Sequence, residues 1–157
     1  MLSCCDSDGW SRRAVLTAPL AVLGLSSCSA GPEWSDDDLI QPKELAQRLS
    51  GNDAKKPVIL HVGFPVLFRS NHIPAAIPAG PGNTPAGLSK LKQAVSGLPK
   101  TQEIVIYCGC CPWVDCPNMK GAFALLKGQG FQRTRALMIE SNFSKDWVQK
   151  GYPAQQG

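Results

Sequence analysis

The chain has 157 residues, enough for one domain or one domain with a tail. Hydrophobic residues make up 43% and charged residues 18%, which excludes an intrinsically disordered chain. The net charge is +4 and no run of five basic residues accompanies it, so no nucleic-acid partner is expected.

The seven cysteines form two groups, three before Ala30 and four within Cys108–Cys116, unlike the spread of a disulfide framework. The first group lies in a targeting pattern. Arg12 and Arg13 precede a nearly unbroken apolar stretch from Ala14 to Leu25. Twelve residues are too few to span a bilayer, which takes about 20, but they suit the core of a signal peptide. The segment from Ser11 to Leu16 resembles a twin-arginine export signal, and Leu25-Ser26-Ser27-Cys28 resembles a bacterial lipobox. The resemblance implies a signal peptide over 1–27 and lipidation of Cys28. A lipid-anchored tether over 28–38 then leads to a domain over 39–157. The expected location is the periplasmic side of the bacterial envelope, with the membrane held through lipidated Cys28.

Residues 41–49 carry apolar side chains at helical spacing, with Pro42 at a tolerated first-turn position, and Gly51 stops the helix. Residues 57–62 form a β-branched run that reads as a buried strand. Residues 63–88 are rich in Gly and Pro and read as loop, with a very short strand ending near Ile77. Residues 88–98 read as a helix through Leu88, Leu91 and Val95, and 103–107 as the clearest strand. After the cysteine-rich loop, Asn118 is expected to cap a helix over 119–129, which Gly130 ends. A strand over 134–139 and a helix over 143–149 close the chain, with Trp147 in the core. Strands alternating with helices predict an α/β fold: an open, mostly parallel central sheet with helices on both faces.

Cys108 ends a strand and precedes a loop that feeds a helix. Ligands of open α/β sheets bind at this edge. A helix N-terminus there favours a thiolate and lowers its pKa. Cys108 is therefore the candidate nucleophile, expected to be exposed and of low pKa, with backbone N–H groups around any anion bound to it.

The ordered pieces Leu60-His61-Val62-Gly63, Asn71-His72-Ile73-Pro74-Ala75-Ala76-Ile77, Ile104-Val105-Ile106-Tyr107-Cys108, Gly130-Phe131 and Trp147…Gly151-Tyr152-Pro153 resemble the rhodanese-like (sulfurtransferase) domains. The resemblance covers about residues 38–153. It implies a persulfide on Cys108, loaded from a thiosulfate- or persulfide-like donor and unloaded to a thiol or cyanide acceptor, with the backbone N–H groups of Gly109, Cys110, Cys111, Trp113 and Val114 as its cradle. The departures are specific. Trp113 and Val114 stand where the family loop has a basic residue, and Asn118 where it often has arginine. Gly63 replaces the arginine of the usual Asp-Val-Arg. Lys120 could supply a charge from the first helical turn.

Cys110, Cys111 and Cys116 are extra to the family pattern. Cys110 or Cys111 could bridge Cys116, or a reduced neighbour could resolve an adduct on Cys108, giving a thiol–disulfide redox protein. No metal or other cofactor is expected. Thiolate-bound zinc or copper is the alternative, but the spacing lacks a second CxxC knuckle, and adjacent Cys110 and Cys111 do not readily turn both sulfurs inward. A non-catalytic interaction module is the remaining reading. Two histidines are auxiliary candidates: His61, whose strand ends at the same edge, and His72, read as a cap of the Ile73-Pro74 turn rather than a base. Trp113 either walls the substrate mouth or packs the loop.

Overall fold

The computed structural model describes residues 34–51 and 56–157. The expected leader and the lipidation site Cys28 lie outside the described residues. Five strands form one fully parallel sheet: β1 (Leu39–Ile40), β2 (Val58–His61), β3 (Ile77–Pro78), β4 (Ile104–Tyr107) and β5 (Thr134–Leu137), in the spatial order β1-β5-β4-β2-β3. The helices are α1 (Pro42–Ser50), α2 (Pro65–Ser70), α3 (Pro85–Val95) and α4 (Pro117–Gly128). Among the described residues, no helix is long and apolar enough to cross a membrane.

β4 lies at the centre because every one of its residues is apolar enough to be buried on either face. Alternation divides its side chains between two cores. Ile104 and Ile106 point toward α3 and α4, where they meet Leu91, Val95, Met119 and Leu126. Val105 and Tyr107 point to the other face, against Leu45 of α1, Phe143 and Trp147. Each fully buried Leu, Ile or Phe contributes about 1.5–3 kcal/mol relative to exposure, so this double burial fixes the register of the central strand. The predicted open parallel α/β sheet is therefore the observed architecture.

The differences from expectation have local causes. The Gly- and Pro-rich stretch after β2 contains helix α2, which Pro65 starts from its first turn. Helix α3 begins at Pro85, with Thr84 as its cap: the Thr84 hydroxyl accepts from the Gly87 N–H at 3.1 Å. Helix α4 begins before Asn118. Pro117 takes the first helical position and Cys116 becomes the N-cap. The terminal segment 144–148 is a single wide π-type turn, Ser144–Val148, with Trp147 buried. Part of the stretch read as a tether is packed on the domain. Trp34 lies against Phe123 at 4.3 Å between ring centroids, and Asp38 pairs with Lys127 at 2.6 Å.

Candidate functional site: a four-sulfur cluster at the sheet edge

The ends of β2 and β4 open on a pocket of about 290 Å³. Cys108 follows β4 and continues the Ile104–Ile106 face, so its side chain lies in the core beside α4 and is buried. Gly109 then turns the chain with φ of +80°, a conformation that favours glycine. A Cβ there would also stand 2.7 Å from the Phe143 Cβ. The turn swings Cys110 outward, and a short 3-10 turn (Trp113–Asp115) brings the chain back to Cys116 at the start of α4.

That path gathers the sulfurs. The Cys110 Sγ is 3.3 Å from Cys108, 3.0 Å from Cys111 and 3.9 Å from Cys116. The Sγ atoms of Cys108, Cys110 and Cys116 all lie within 4.8 Å of one another. All four thiols are free, so neither bridge to Cys116 considered from the sequence is present. Cys110 is exposed while Cys108 and Cys116 are buried, which makes Cys110 the meeting point of solvent and cluster. The adjacent Cys110 and Cys111 sulfurs touch at 3.0 Å, but only Cys110 joins Cys108 and Cys116 in the compact group, in line with the expectation that neighbours do not both turn inward.

The helix N-terminus favours a different thiolate from the one the sequence suggested. Cys116, as N-cap, is lowered to about 5. The cause is first the hydrogen bond that the Cys108 thiol donates, opposed by burial, and then the amides of Met119 and Asn118. Cys108 is shifted upward by the same hydrogen bond and by burial. Cys111 is pushed up to about 12, mainly by burial and then by Cys110. The negative charge of the cluster therefore rests on Cys116.

The loop amides are divided between structure and sulfur. The Trp113 N–H donates to Ile139 O at 2.8 Å, so it does not face Cys108 as a cradle donor. The Cys110 amide does bond the Cys108 sulfur. The Trp113 ring meets Trp34 edge-on at 5.3 Å and packs the loop rather than walling the pocket. Val114 is exposed on the same turn. Asn118 is buried inside the first turn of α4 rather than capping it. Its Nδ2 donates to Cys108 Sγ at 3.4 Å, and its Oδ1 accepts from the Asn83 N–H at 3.2 Å. The second bond depends on Gly82, where any Cβ would run into Asn118 O. Lys120 does not line the pocket.

His61 and Cys108 project to opposite faces of the sheet, so the imidazole reaches the Cys108 carbonyl, not its thiol. His61 Nε2–H donates to Cys108 O at 3.0 Å. Burial lowers His61 to about 4, so the ring is neutral at ordinary pH. His72 holds the chain terminus: Nδ1–H donates to Phe68 O at 2.9 Å, and Nε2 accepts from Gln155 at 2.8 Å. This is a structural role.

Residues the sequence reading did not single out complete the pocket: Leu67, Ser70 and Asn71 from α2 and its end, and Asn142, Phe143 and Ser144. The unrecognised α2 hid the first three. Gly63 was noted only as a missing arginine. Its backbone lies so close that a Cβ would be 2.9 Å from both Cys108 Sγ and Cys108 O. The thiol occupies the space a side chain would need.

The rhodanese-like domain family model matches residues 41–137, more than half of the chain. The chain belongs to the rhodanese-like domain family. This is consistent with sulfur-transfer chemistry in general and with a small sulfur-containing donor and a thiol acceptor. The fold is similar to the rhodanese-like domain of the Alr3790 protein from Anabaena sp., at 20% identity and a TM-score of 0.56, over 76% of this chain and 80% of that one. It is also similar to the BH2092 protein from Bacillus halodurans, at 18% identity and a TM-score of 0.56, over 76% and 77% of the two chains. A full-length protein from Lactobacillus plantarum aligns at 19% identity and a TM-score of 0.53, over 76% and 88%. At these identities the likeness is one of fold. Comparison with curated proteins found no match.

Proposed function

We propose that this rhodanese-like domain performs thiol–disulfide exchange through its sulfur cluster, rather than sulfur transfer through one isolated persulfide. The observation that carries the reading is the position of Cys110: exposed, free, and within 3.0–3.9 Å of three other sulfurs. A disulfide bond is about 2.05 Å long, so a Cys108–Cys110 bridge needs an approach of about 1.3 Å. In the reaction, a proton passes from Cys110 to a cluster thiolate. The Cys110 sulfur then attacks an incoming disulfide, forming a mixed disulfide and releasing one thiolate. A second cluster sulfur, Cys116 or Cys108, attacks the Cys110 sulfur, forms the internal bridge and expels the second thiol. Two protein thiols are oxidised and one external disulfide is reduced.

The test is to treat the reduced chain with a small disulfide, trap it with acid and map the bonds by mass spectrometry. The expected product is an internal bridge containing Cys110. A +32 Da persulfide accumulating on Cys108 after thiosulfate treatment, with the other thiols free and no bridge, would return the protein to single-cysteine sulfur transfer.

A second reading has its own observation. Three cysteine sulfurs within 4.8 Å, which would bind as thiolates, suit a thiophilic ion such as zinc or Cu(I). Zinc–sulfur bonds of about 2.3 Å place tetrahedral sulfurs about 3.8 Å apart, close to the 3.9 Å of Cys110 and Cys116. Metal analysis of the purified chain, and cobalt titration followed by its thiolate charge-transfer band, separate this reading from exchange. The proposal includes export and acylation at Cys28. Lipid labelling that persists in Cys28→Ala would remove that part.

A further inference from the structure

The pocket above the cluster has an unusual lining for a site that handles sulfur compounds. Among the described residues it holds no lysine, arginine, aspartate or glutamate. Its polar groups are the hydroxyls of Ser70 and Ser144 and the amides of Asn71 and Asn142, and its walls include Leu67 and Phe143. Two ionisable rings also line it: His61 gives its Nε2 proton to a backbone carbonyl, and the Tyr107 phenol, which burial keeps un-ionised, accepts from the Ile73 N–H at 3.1 Å. Both positions where the resemblance would place an arginine are closed to a cation. Gly63 has no room for a side chain beside Cys108, and Asn118 is a buried amide bonded to Asn83 and to the Cys108 sulfur.

A sulfur oxyanion or carboxylated thiol entering this space would exchange its water shell for neutral dipoles and thiols. An unpaired charge loses several kcal/mol on such a transfer, whereas neutral groups bonded to hydroxyls and amides lose little. The volume of about 290 Å³ suits a small molecule.

We propose that the pocket selects uncharged organic disulfides, with short apolar or hydroxylated arms, over sulfur oxyanions and other anionic sulfur compounds. The assignment rests on the exchange reading above and names its substrate class. The chemistry is R–S–S–R plus two protein thiols giving the internal bridge and two R–SH. The external disulfide is the oxidant and the cluster is the electron donor. The amides and hydroxyls hold the arms while the S–S bond faces Cys110.

The experiment uses two probes of similar size, neutral bis(2-hydroxyethyl) disulfide and dianionic dithiodiglycolate. The rate of thiol loss on the reduced full chain is measured for each by quenched mass spectrometry. Each rate is divided by that probe's rate with free N-acetylcysteinamide, a small neutral thiol different from either probe's arm. The expected normalised preference is at least about tenfold for the neutral probe. Ser70→Arg and Ser144→Arg, both at exposed rim positions, are expected to narrow it at least about threefold by supplying a cation. A normalised ratio near one, a preference for the dianion, or no reaction with either probe overturns the assignment. So does a preference that neither arginine variant changes. The product reports separately on the exchange reading: stable mixed disulfides without an internal bridge sink exchange, whatever the ratio between probes.

Discussion

The ends of β2 and β4 lie side by side at one sheet edge, and both carry groups that the sequence marks as reactive. Their surroundings differ. At the β2 side, His61 is bound to the Cys108 carbonyl, and His72 is bound on both nitrogens to Phe68 and Gln155. At the β4 side, the partners of the sulfurs are largely other sulfurs. Polar groups with fixed backbone partners serve to hold the loops in place. Thiols gathered against one another keep the ability to form new bonds. Proximity to the edge is common to both, and only the partner set separates positioning groups from reacting ones.

The comparison is most sharply broken at Cys110. Cys110→Ser removes the sulfur that touches the other three, so disulfide exchange is expected to fall on the order of 100-fold, with the internal bridge gone. Quenched alkylation and mass spectrometry measure both. A variant that still forms a Cys108–Cys116 bridge at the original rate would move the centre of the cluster away from Cys110.

The β2 side should report through stability instead. His61 has a folded pKa near 4, below its ordinary value of 6.5. The unfolded chain therefore takes up the proton first on acidification. The contribution is full above pH 6.5 and is lost as the pH falls toward 4, by on the order of 3 kcal/mol in all. Urea unfolding across this range is expected to show the decline, and His61→Gln to flatten it. An unchanged slope in the variant would assign the acid sensitivity to other groups.

Gly63 is where the two sides touch. Gly63→Ala places a Cβ 2.9 Å from the Cys108 sulfur and 3.0 Å from His61 Cε1. It is expected to destabilise by about 1–3 kcal/mol and to change the alkylation pattern of the cluster. Thermal unfolding checks the first and peptide mapping the second. The smallest effect is expected from Asn118→Ala, about 1–2 kcal/mol for two lost buried hydrogen bonds. Asn118→Asp keeps the acceptor for the Asn83 N–H, loses the same donor to Cys108 Sγ and adds a carboxylate beside the cluster. Comparing the two by urea unfolding distinguishes loss of the amide donor from the added charge.

Much of the fold was legible in the sequence because burial on both faces demands a simple pattern. The run from Ile104 to Tyr107 reads as a central strand without any knowledge of its neighbours. The spacing of Leu91 and Val95 likewise yields the face of α3. Helix α2 was missed because Gly63, Pro65 and Pro74 resemble loop punctuation, whereas Pro65 starts the helix at a position where it lacks nothing. Asn118 has the composition of a cap, but Pro117 moves the helix start back and turns its amide inward. The choice of Cys108 as candidate nucleophile used only a strand, a cysteine and a helix, whereas the fold buries that thiol and exposes Cys110. The N-cap position of Cys116 appears only when the end of the loop is folded onto α4.

Taken alone, the residues determined a parallel α/β domain with cysteines at one sheet edge, because alternation, β-branching and chain order are local properties. They also determined that four thiols share one short loop. Tertiary structure decided how those thiols are arranged. The turn at Gly109, the 3-10 turn and the start of α4 set the sulfur-to-sulfur distances, and the parity of β2 against β4 kept His61 away from the thiol. Charge at the site was likewise a tertiary matter. The lowered pKa of Cys116, and a neighbouring pocket lined without lysine, arginine, aspartate or glutamate, depend on which side chains meet, and contacts between distant segments settle that.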